Sequence, residues 1–424
     1  MASFSPNPVF RLIRVLILLL FHLSYNIAAD SASAHHRHRS HSLSLASNAR
    51  LHRAYIALQA WKRVIYSDPR NFTSNWIGLN VCEYHGIYCT SAPHDPKVKV
   101  VAGIDLNFGD IAGFIPEEFG LLTDLALVHL NSNRFCGILP PTIANLTVLY
   151  ELDISNNRFV GRFPSVVLSL PKLKFLDLRY NEFEGPTPPR LFEKQLDAIF
   201  INNNRFTSVL PAFKGRSSAS VLVIANNKFG GALPPSISNF ADSLEELVLI
   251  NSSLTGCLPP EVGYLYKLRL LDVSNNNIVG PIPYSLAGLA HLETLNLADN
   301  MMTGNVHGGI CVLPSLSNFT LSYNFFCEED GICANLTSKG IVFDDRENCL
   351  PDKPHQRSKK ECKPVIEHPV DWYEECYVHG GGHAPVPAVT PMFPPSMAPS
   401  TALLPPSMAP STPVFPPSMA PSTA

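Results

Sequence analysis

The chain has 424 residues, 46% of them apolar, and a formal charge of -3, so it can bury a sizeable core and its charge gives no sign of a nucleic-acid partner. Its 10 cysteines are an even number, which is typical of the oxidising secretory route. At the N-terminus, Arg11 and Arg14 precede an apolar run over residues 15–23 that is too short to cross a bilayer. Small residues follow, so we expect a signal peptide over residues 1–29, or as far as 34, and no transmembrane span.

The next segment, residues 30–49, is rich in His, Arg and Ser and is interpreted as a disordered basic arm rather than a metal site. Its clustered histidines are His35, His36, His38 and His41. Residues 50–99 are predicted to form an N-terminal cap. An amphipathic helical stretch from Leu51 to Tyr66 precedes Cys82 and Cys89, which we expect to form a disulfide.

Residues 100–326 repeat themselves about every 24 residues, with a core pattern L-x-x-L-x-L in each copy. The pattern predicts one short strand per copy with its leucines pointing inward. The Asn that follows can satisfy backbone groups left unpaired at the turn. Equivalent turn positions are Gly109, Asn133, Asn157, Asn181, Asn204, Asn227, Ser252, Asn276, Asn300 and Asn324.

Because one copy cannot bury its apolar face alone, the copies are expected to stack as coils of a solenoid with covered ends. A G-x-I-P element follows the turn, as at residues 113–116 and 280–283, and marks plant-type leucine-rich repeats. The predicted fold is therefore an α/β solenoid, a horseshoe of about ten coils with disulfide caps. Cys136 and Cys257 lie singly inside repeats and are interpreted as buried small residues, with an intermolecular bridge as the alternative.

Residues 327–380 are expected to form a Cys-rich C-terminal cap and hinge, and residues 381–424 a Pro-rich tail. Fifteen pairings are open to the six cysteines from the last repeats onward, which are Cys311, Cys327, Cys333, Cys349, Cys362 and Cys376. From residue 384 the tail has 13 prolines and no charged side chain, so an extended polyproline-II spacer is expected.

The linker segments after the repeats resemble those of the leucine-rich-repeat extensins, a plant cell-wall family with a repeat domain, a Cys-rich hinge and a hydroxyproline-rich tail. They are Asn318–Cys327, Asn348–Pro351, Gln356–Ser358 and Pro369–Asp371, and the resemblance covers roughly residues 45–380. It implies binding of small basic cysteine-rich peptides of the rapid alkalinisation factor class. It also implies a part in wall assembly and cell expansion, alongside malectin-like receptor kinases and often as a homodimer. This tail has no Ser-Pro pair and no Tyr, in contrast to the cross-linking tails of that family.

Solvent-facing residues on the concave side are expected to alternate with the inward leucines and to be mostly acidic. The ten expected carboxylates are Asp105, Glu151, Asp153, Asp177, Asp197, Glu245, Glu246, Asp272, Glu293 and Asp299. Only Lys174, Arg179 and Arg269 oppose them, which leaves about seven negative charges. The aromatic residues among them are Phe108, Tyr150, Phe175, Tyr180, Phe200 and Tyr323.

Five N-glycosylation sequons are predicted, at Asn71, Asn145, Asn251, Asn318 and Asn335. Glycans at Asn251 and Asn318 would obstruct the concave face, so contact with a partner is expected in coils two to five. The predicted ligand-binding residues are Tyr150, Asp153, Phe175, Asp177, Arg179, Tyr180 and Phe200, together with Asp272.

The preferred function is capture of a basic secreted peptide at the plant cell wall. The alternative is an inhibitor of a wall-degrading enzyme, like the polygalacturonase-inhibiting proteins, but the hinge and tail favour the first. Pectin or another wall polysaccharide is a further candidate partner. No phosphate-binding loop, nucleophile elbow or metal-ligand spacing occurs, so we expect no enzyme, cofactor or metal.

Overall fold

The computed structural model describes residues 48–92, 95–367 and Cys376. The predicted signal peptide, most of the basic arm, much of the hinge beyond residue 367 and the tail lie outside the described residues. None of the described helices is long and apolar enough to span a bilayer.

The repeats build one main sheet of twelve strands, which gains one short strand from each coil. Its order is β1-β2-β4-β6-β8-β10-β12-β13-β15-β17-β19-β21, and all neighbours are parallel except β1 and β2. The bounds are β1 Ile87–Ala92, β2 Asp95–Asp105, β4 Leu127–His129, β6 Glu151–Asp153, β8 Phe175–Asp177, β10 Ala198–Phe200, β12 Val221–Val223, β13 Glu246–Val248, β15 Leu270–Asp272, β17 Thr294–Asn296, β19 Asn318–Thr320 and β21 Val342–Asp344.

Two smaller parallel sheets lie after the turns and follow from the plant-type repeat. The first has the order β11-β9-β7-β5-β3 and the second β14-β16-β18-β20. Their bounds are β3 Ala112–Phe114, β5 Arg134–Gly137, β7 Arg158–Arg162, β9 Glu182–Gly185, β11 Arg205–Phe206, β14 Thr255–Cys257, β16 Asn277–Gly280, β18 Met301–Val306 and β20 Phe325–Glu329.

Most of the helices are short segments within the coils, whereas the first α-helix belongs to the N-terminal cap and the last α-helix follows the last coil. The α-helices are α1 Ala49–Val64, α2 Arg190–Glu193, α3 Gly308–Cys311 and α4 Lys359–Glu367. The 3-10 helices are Val81–Glu83, Glu117–Leu121, Pro141–Asn145, Ser165–Ser169, Pro235–Phe240, Pro260–Tyr264, Tyr284–Gly288, Cys333–Asn335 and Thr337–Lys339.

Each turn Asn binds the backbone of its own coil and of the coil before it. The side chain of Asn157 donates to the carbonyl oxygens of Leu130, Ile154 and Ser155 at 2.8, 3.1 and 3.0 Å, and its Oδ1 accepts from the Phe135 amide at 2.9 Å. The same set recurs from Asn133 to Asn324, with the shorter Ser252 making fewer bonds. This ladder satisfies buried backbone groups that would otherwise lack partners.

Asn157→Ala is expected to lower the free energy of unfolding by about 1–3 kcal/mol, because it leaves buried backbone groups of two coils unpaired. The measurement is the shift in the urea midpoint. Asn80→Ala is the matched control, since the exposed Asn80 side chain makes no capping hydrogen bond. Equal shifts in the two variants would count against a stabilising ladder.

The repeats continue one coil beyond the boundary expected at residue 326. Asn348, 24 residues after Asn324, donates to the carbonyl oxygens of Leu321, Asp345 and Arg346 and accepts from the Phe326 amide. Strand β21 pairs with β19 in the same register as the earlier coils. The hinge region therefore begins with an eleventh coil.

The N-terminal cap covers the open end of the stack with an aromatic cluster. Helix α1 starts after Asn48, whose side chain accepts from the amides of Arg50 and Leu51. Trp61 on α1 is fully buried, with ring centroids 5.1 Å from Phe119 and 5.8 Å from Trp76. The predicted Cys82–Cys89 disulfide is confirmed, as is the predicted helix, which ends at Val64.

Six of the eight remaining cysteines form three disulfides, of which one corrects an interpretation from the sequence. Cys311 pairs with Cys333, and Cys349 pairs with Cys362. Half-buried Cys257 is bonded to Cys376, so its interpretation as a lone buried residue is wrong. The pairing spans 119 residues and joins Cys376 to the seventh coil. Cys136 and Cys327 are half-buried free thiols.

Candidate binding face

The outer face of the main sheet carries one row of side chains made by the last residue of each strand. Pairing aligns these residues from β2 to β21, and we call them the central row. In order they are Asp105, His129, Asp153, Asp177, Phe200, Val223, Val248, Asp272, Asn296, Thr320 and Asp344. The row is thus polar at both ends and apolar in the middle.

His129 lies among carboxylates at the N-terminal end of the row. Its Nε2 is 3.0 Å from Oε2 of Glu151, and it is aligned between Asp105 and Asp153. Burial opposes protonation of His129, but the hydrogen bond and the charge of Glu151, aided by Asp153 and Asp105, outweigh it and raise its pKa. His129 is absent from the predicted site, although its place in the repeat register was visible in the sequence.

Two predicted ligand-binding carboxylates are buried rather than solvent-facing, which corrects the expectation from strand alternation. Asp177 lies under Arg179, whose Nε is 3.0 Å from Oδ2 of Asp177. Asp153 accepts hydrogen bonds from the amide and hydroxyl of Ser155. Each carboxylate therefore helps to fix the turn that follows its own strand.

The three cations predicted on this face each pair with a carboxylate. Besides the Asp177–Arg179 pair, Lys174 lies 3.5 Å from Asp197 and Arg269 lies 2.5 Å from Glu293. Three of the ten expected carboxylates, Asp177, Asp197 and Glu293, take part in these pairs. The other seven pair with none of these three cations. They are Asp105, Glu151, Asp153, Glu245, Glu246, Asp272 and Asp299. Asp105, Glu151 and Asp153 lie towards the N-terminal end of the row and Asp272 and Asp299 towards the other end, while Glu246 begins β13 and Glu245 directly precedes it.

The middle of the face is a hydrophobic cluster separate from the core. Its buried members are Ala198, Phe200, Val223 and Ala225, and Phe175, Val221, Val248 and Ile250 pack around them. We call these eight residues the apolar floor. The Phe175 and Phe200 ring centroids are 5.7 Å apart, and the Arg179 guanidinium lies 5.2 Å from the Phe200 centroid. The structure therefore brings Phe175, Arg179 and Phe200 of the predicted site together, and Val223 and Val248 are additions to it.

Exposed aromatic side chains stand at the edges of the face. Tyr150 is 46% exposed and Tyr180 is 54% exposed. Tyr180, Phe108 and Tyr323 occupy the same turn position in their coils, with φ of 53°, 59° and 59°. Other coils have Asn, Ser or Asp at this position. An aromatic residue is uncommon in this left-handed region, so these rings occupy places that local backbone preference disfavours.

Asp272 lies beyond the apolar floor, apart from the other predicted ligand-binding residues. Burial raises its pKa, against the hydrogen bonds from Ser274 and Asn296. Of the sequons, exposed Asn251 follows β13 and half-buried Asn318 begins β19, both near the main sheet. Asn71, Asn145 and Asn335 are exposed in turns or short helices elsewhere. Glycosylation at these five positions stays a prediction.

A shallow polar cavity of about 330 Å³ lies along coils seven to ten at the edge of the face. Charged and polar side chains line it, namely Glu245, Lys267, Arg269, His291, Glu293 and Ser315. It takes in the Arg269–Glu293 pair and is separate from the residues predicted for coils two to five.

Known proteins match both the repeats and most of the chain. A family model described as leucine rich repeat matches residues 242–302. Leucine-rich repeat extensin-like protein 6 of Arabidopsis thaliana is 56% identical over 326 residues, which cover 77% of this chain and 68% of that protein. The chain belongs to the leucine-rich repeat extensin-like family. Both the resemblance and the predicted solenoid fold are confirmed.

Other members are longer than this chain. Pollen-specific leucine-rich repeat extensin-like protein 3 of Arabidopsis thaliana is 56% identical over 354 residues, which cover 84% of this chain and 48% of that protein. The chain thus spans about half the length of that relative. Among solved structures, a TDR receptor is 30% identical with a TM-score of 0.56, over 59% of this chain and 44% of its own. Family membership and the disulfides make this an extracellular leucine-rich repeat protein, and the relatives carry no enzyme name.

Proposed function

We propose that this extensin-like chain captures a basic, cysteine-rich signalling peptide of the rapid alkalinisation factor type on the outer face of its main sheet. The observation that carries the proposal is the seven predicted carboxylates of that face that pair with none of its three predicted lysine and arginine side chains. A surface of one sign concentrates its field and accelerates encounter with a partner of the opposite sign. Exposed Tyr150 and Tyr180 add the aromatic contacts that are common in protein interfaces.

Capture of such a peptide in the plant cell wall would let the protein regulate wall assembly and cell expansion. A malectin-like receptor kinase, pectin and a second copy of the chain are the partners that the family suggests for this role. The named relatives support the wall setting because they are extensin-like proteins.

The test is titration of the secreted chain with folded, basic cysteine-rich peptides by calorimetry at two salt concentrations. Binding at about micromolar concentration or tighter is expected, with a weaker affinity at the higher salt because screening reaches charges at the surface. An acidic peptide with a similar disulfide framework is the control. Absence of heat with every basic peptide, combined with inhibition of a polygalacturonase, would replace this proposal by the enzyme-inhibitor alternative.

The affinity for a basic peptide is expected to rise with pH as His129 loses its proton. The pKa of His129 is raised, so below it the imidazolium offsets one negative charge beside Asp105, Glu151 and Asp153. Above it that positive charge is gone and the face attracts cations more strongly. The dissociation constant of the native protein should fall as the pH is raised from below to above the pKa of His129. The dissociation constant of His129→Gln should depend less on pH. If affinity depends on pH equally in both proteins, titrating groups other than His129 cause the effect.

A further inference from the structure

The apolar floor interrupts a row that is polar in most other coils. In the central row, Phe200, Val223 and Val248 stand where the neighbouring coils carry Asp177 on one side and Asp272 on the other. Strand alternation sends Leu222 and Leu247 into the core, so the floor lies on the opposite side of the sheet from them. Phe200 and Val223 are nearly fully buried by their neighbours on this side and Val248 is half-buried, so these three coils offer a ligand apolar atoms where the other coils offer polar groups.

Carboxylates bracket the floor along the direction of stacking. Glu151 and Asp153 lie on β6, two strands before Phe200, and Asp272 lies on β15, next to Val248. Asp177 on β8 is nearer to Phe200 than Glu151 and Asp153 are. Its ion pair with Arg179 cancels its charge, so β8 adds no net negative charge next to the floor. A ligand that crosses the strands therefore meets negative charge, then an apolar surface, then negative charge again.

The spacing of the strands sets the size of the ligand segment. Neighbouring strands are about 4.8 Å apart, so the five steps from Asp153 to Asp272 span about 24 Å. The two steps from Phe200 to Val248 span about 10 Å by the same spacing. An extended chain advances about 3.3 Å per residue, so about seven residues join the two carboxylates and about three of them lie over the floor.

We propose that the apolar floor seats a short apolar segment of the partner peptide, with a cationic residue on each side of it that pairs with half-buried Glu151 at one end and half-buried Asp272 at the other. This rests on the proposed peptide capture and adds the pattern that the peptide must carry. The floor supplies contact that salt does not screen, and the bracketing carboxylates fix where the segment lies.

Other occupants fit these observations less well. The chain's own tail from residue 384 has apolar residues but no charged side chain, so it leaves the carboxylates unpaired. A second copy of this face would bring carboxylates against carboxylates. A glycan needs hydrogen-bond partners that Phe200, Val223 and Val248 lack.

The test uses three synthetic linear peptides and the full secreted chain. The first peptide has lysines at both ends of a short Leu- and Val-containing segment, the second has serines in place of that segment, and the third has glutamates in place of the lysines. Fluorescence anisotropy at low and high salt is the measurement. The first peptide should bind at least about tenfold more tightly than the second, and the third should not bind.

The matched protein variants are Val223→Asn on the floor and Val160→Asn on the exposed face of β7, both checked for an unchanged melting temperature. Val223→Asn places in the central row the residue type already present at Asn296 and should weaken the first peptide about tenfold at both salt concentrations. Val160→Asn should bind as the native chain does. Equal binding of the first two peptides, or no effect of Val223→Asn, would overturn the seating on the floor.

The same variants separate this inference from the proposed function. If a folded basic cysteine-rich peptide binds native protein and Val223→Asn equally, the floor has no part and peptide capture stands. If the short cationic-apolar peptide binds but no cysteine-rich peptide does, the floor has another peptide partner and the proposed function falls. If neither kind of peptide binds, both fall.

Discussion

Replacement of Asp105 and Glu151 by lysine should slow association with a basic peptide by at least about tenfold, with a smaller change in the dissociation rate. The double reversal removes two carboxylates and adds two ammonium groups, so the net charge of the face becomes more positive by four. Both side chains are half-buried at the N-terminal end, so neither substitution places a lysine in the core. Stopped-flow or surface-plasmon kinetics at low salt measure the effect.

A control with the same change in net charge separates steering from bulk charge. Glu117→Lys with Glu118→Lys alters two exposed carboxylates on a 3-10 helix away from the main sheet and should leave association nearly unchanged. The effect of the first pair should also shrink at high salt because screening shortens the reach of the field. Similar slowing in both pairs would mean that the total charge, and not this face, sets the rate.

Phe183→Ala is expected to lower the free energy of unfolding by about 3–5 kcal/mol, because it opens a cavity in a stack of buried rings. Phe183 is fully buried, and its ring centroid is 6.4 Å from those of Phe159 and Phe206. The measurement is the urea midpoint together with the slope of unfolding. A lost coil can melt separately from the others in a repeat protein, so a broadened transition is part of the expected result.

Val160→Ala is the control for this cavity, since Val160 is exposed on the neighbouring strand β7. It should shift the midpoint by no more than about 0.5 kcal/mol, as surface substitutions usually do. A small effect of Phe183→Ala would show that adjacent coils close the gap without loss of stability.

The periodic Leu and Asn positions were enough to predict the solenoid, since each has one structural role in every coil. The eleventh coil was hidden because Gly340, Phe343 and Asp345 occupy the three positions where leucine or another aliphatic residue stands in most other coils. Its Asn348 was recognised only as part of the hinge, although it lies in register with Asn324. A single matching Asn is weak evidence for a repeat when the leucine positions of the motif are not matched.

The binding face was less predictable because orientation depends on more than alternation. In Ala198–Phe200 and Val221–Val223 both inward and outward residues are apolar, so no period of two distinguishes the floor from the core. The burial of Asp177 depends on Arg179, a contact that only the folded turn reveals. Similarly, no spacing in the sequence indicates that Cys257 pairs with Cys376.

The Cys257–Cys376 disulfide also determines the route of mechanical load through the protein. Tension applied to the chain beyond Cys376 passes through the sulfur atoms to the backbone at Cys257, in the seventh coil. Coils eight to eleven then lie within a covalently closed loop and bear no part of that tension along their backbone. A pull from the C-terminal side would therefore be resisted by the first seven coils, which include the acidic N-terminal end of the central row and the whole apolar floor.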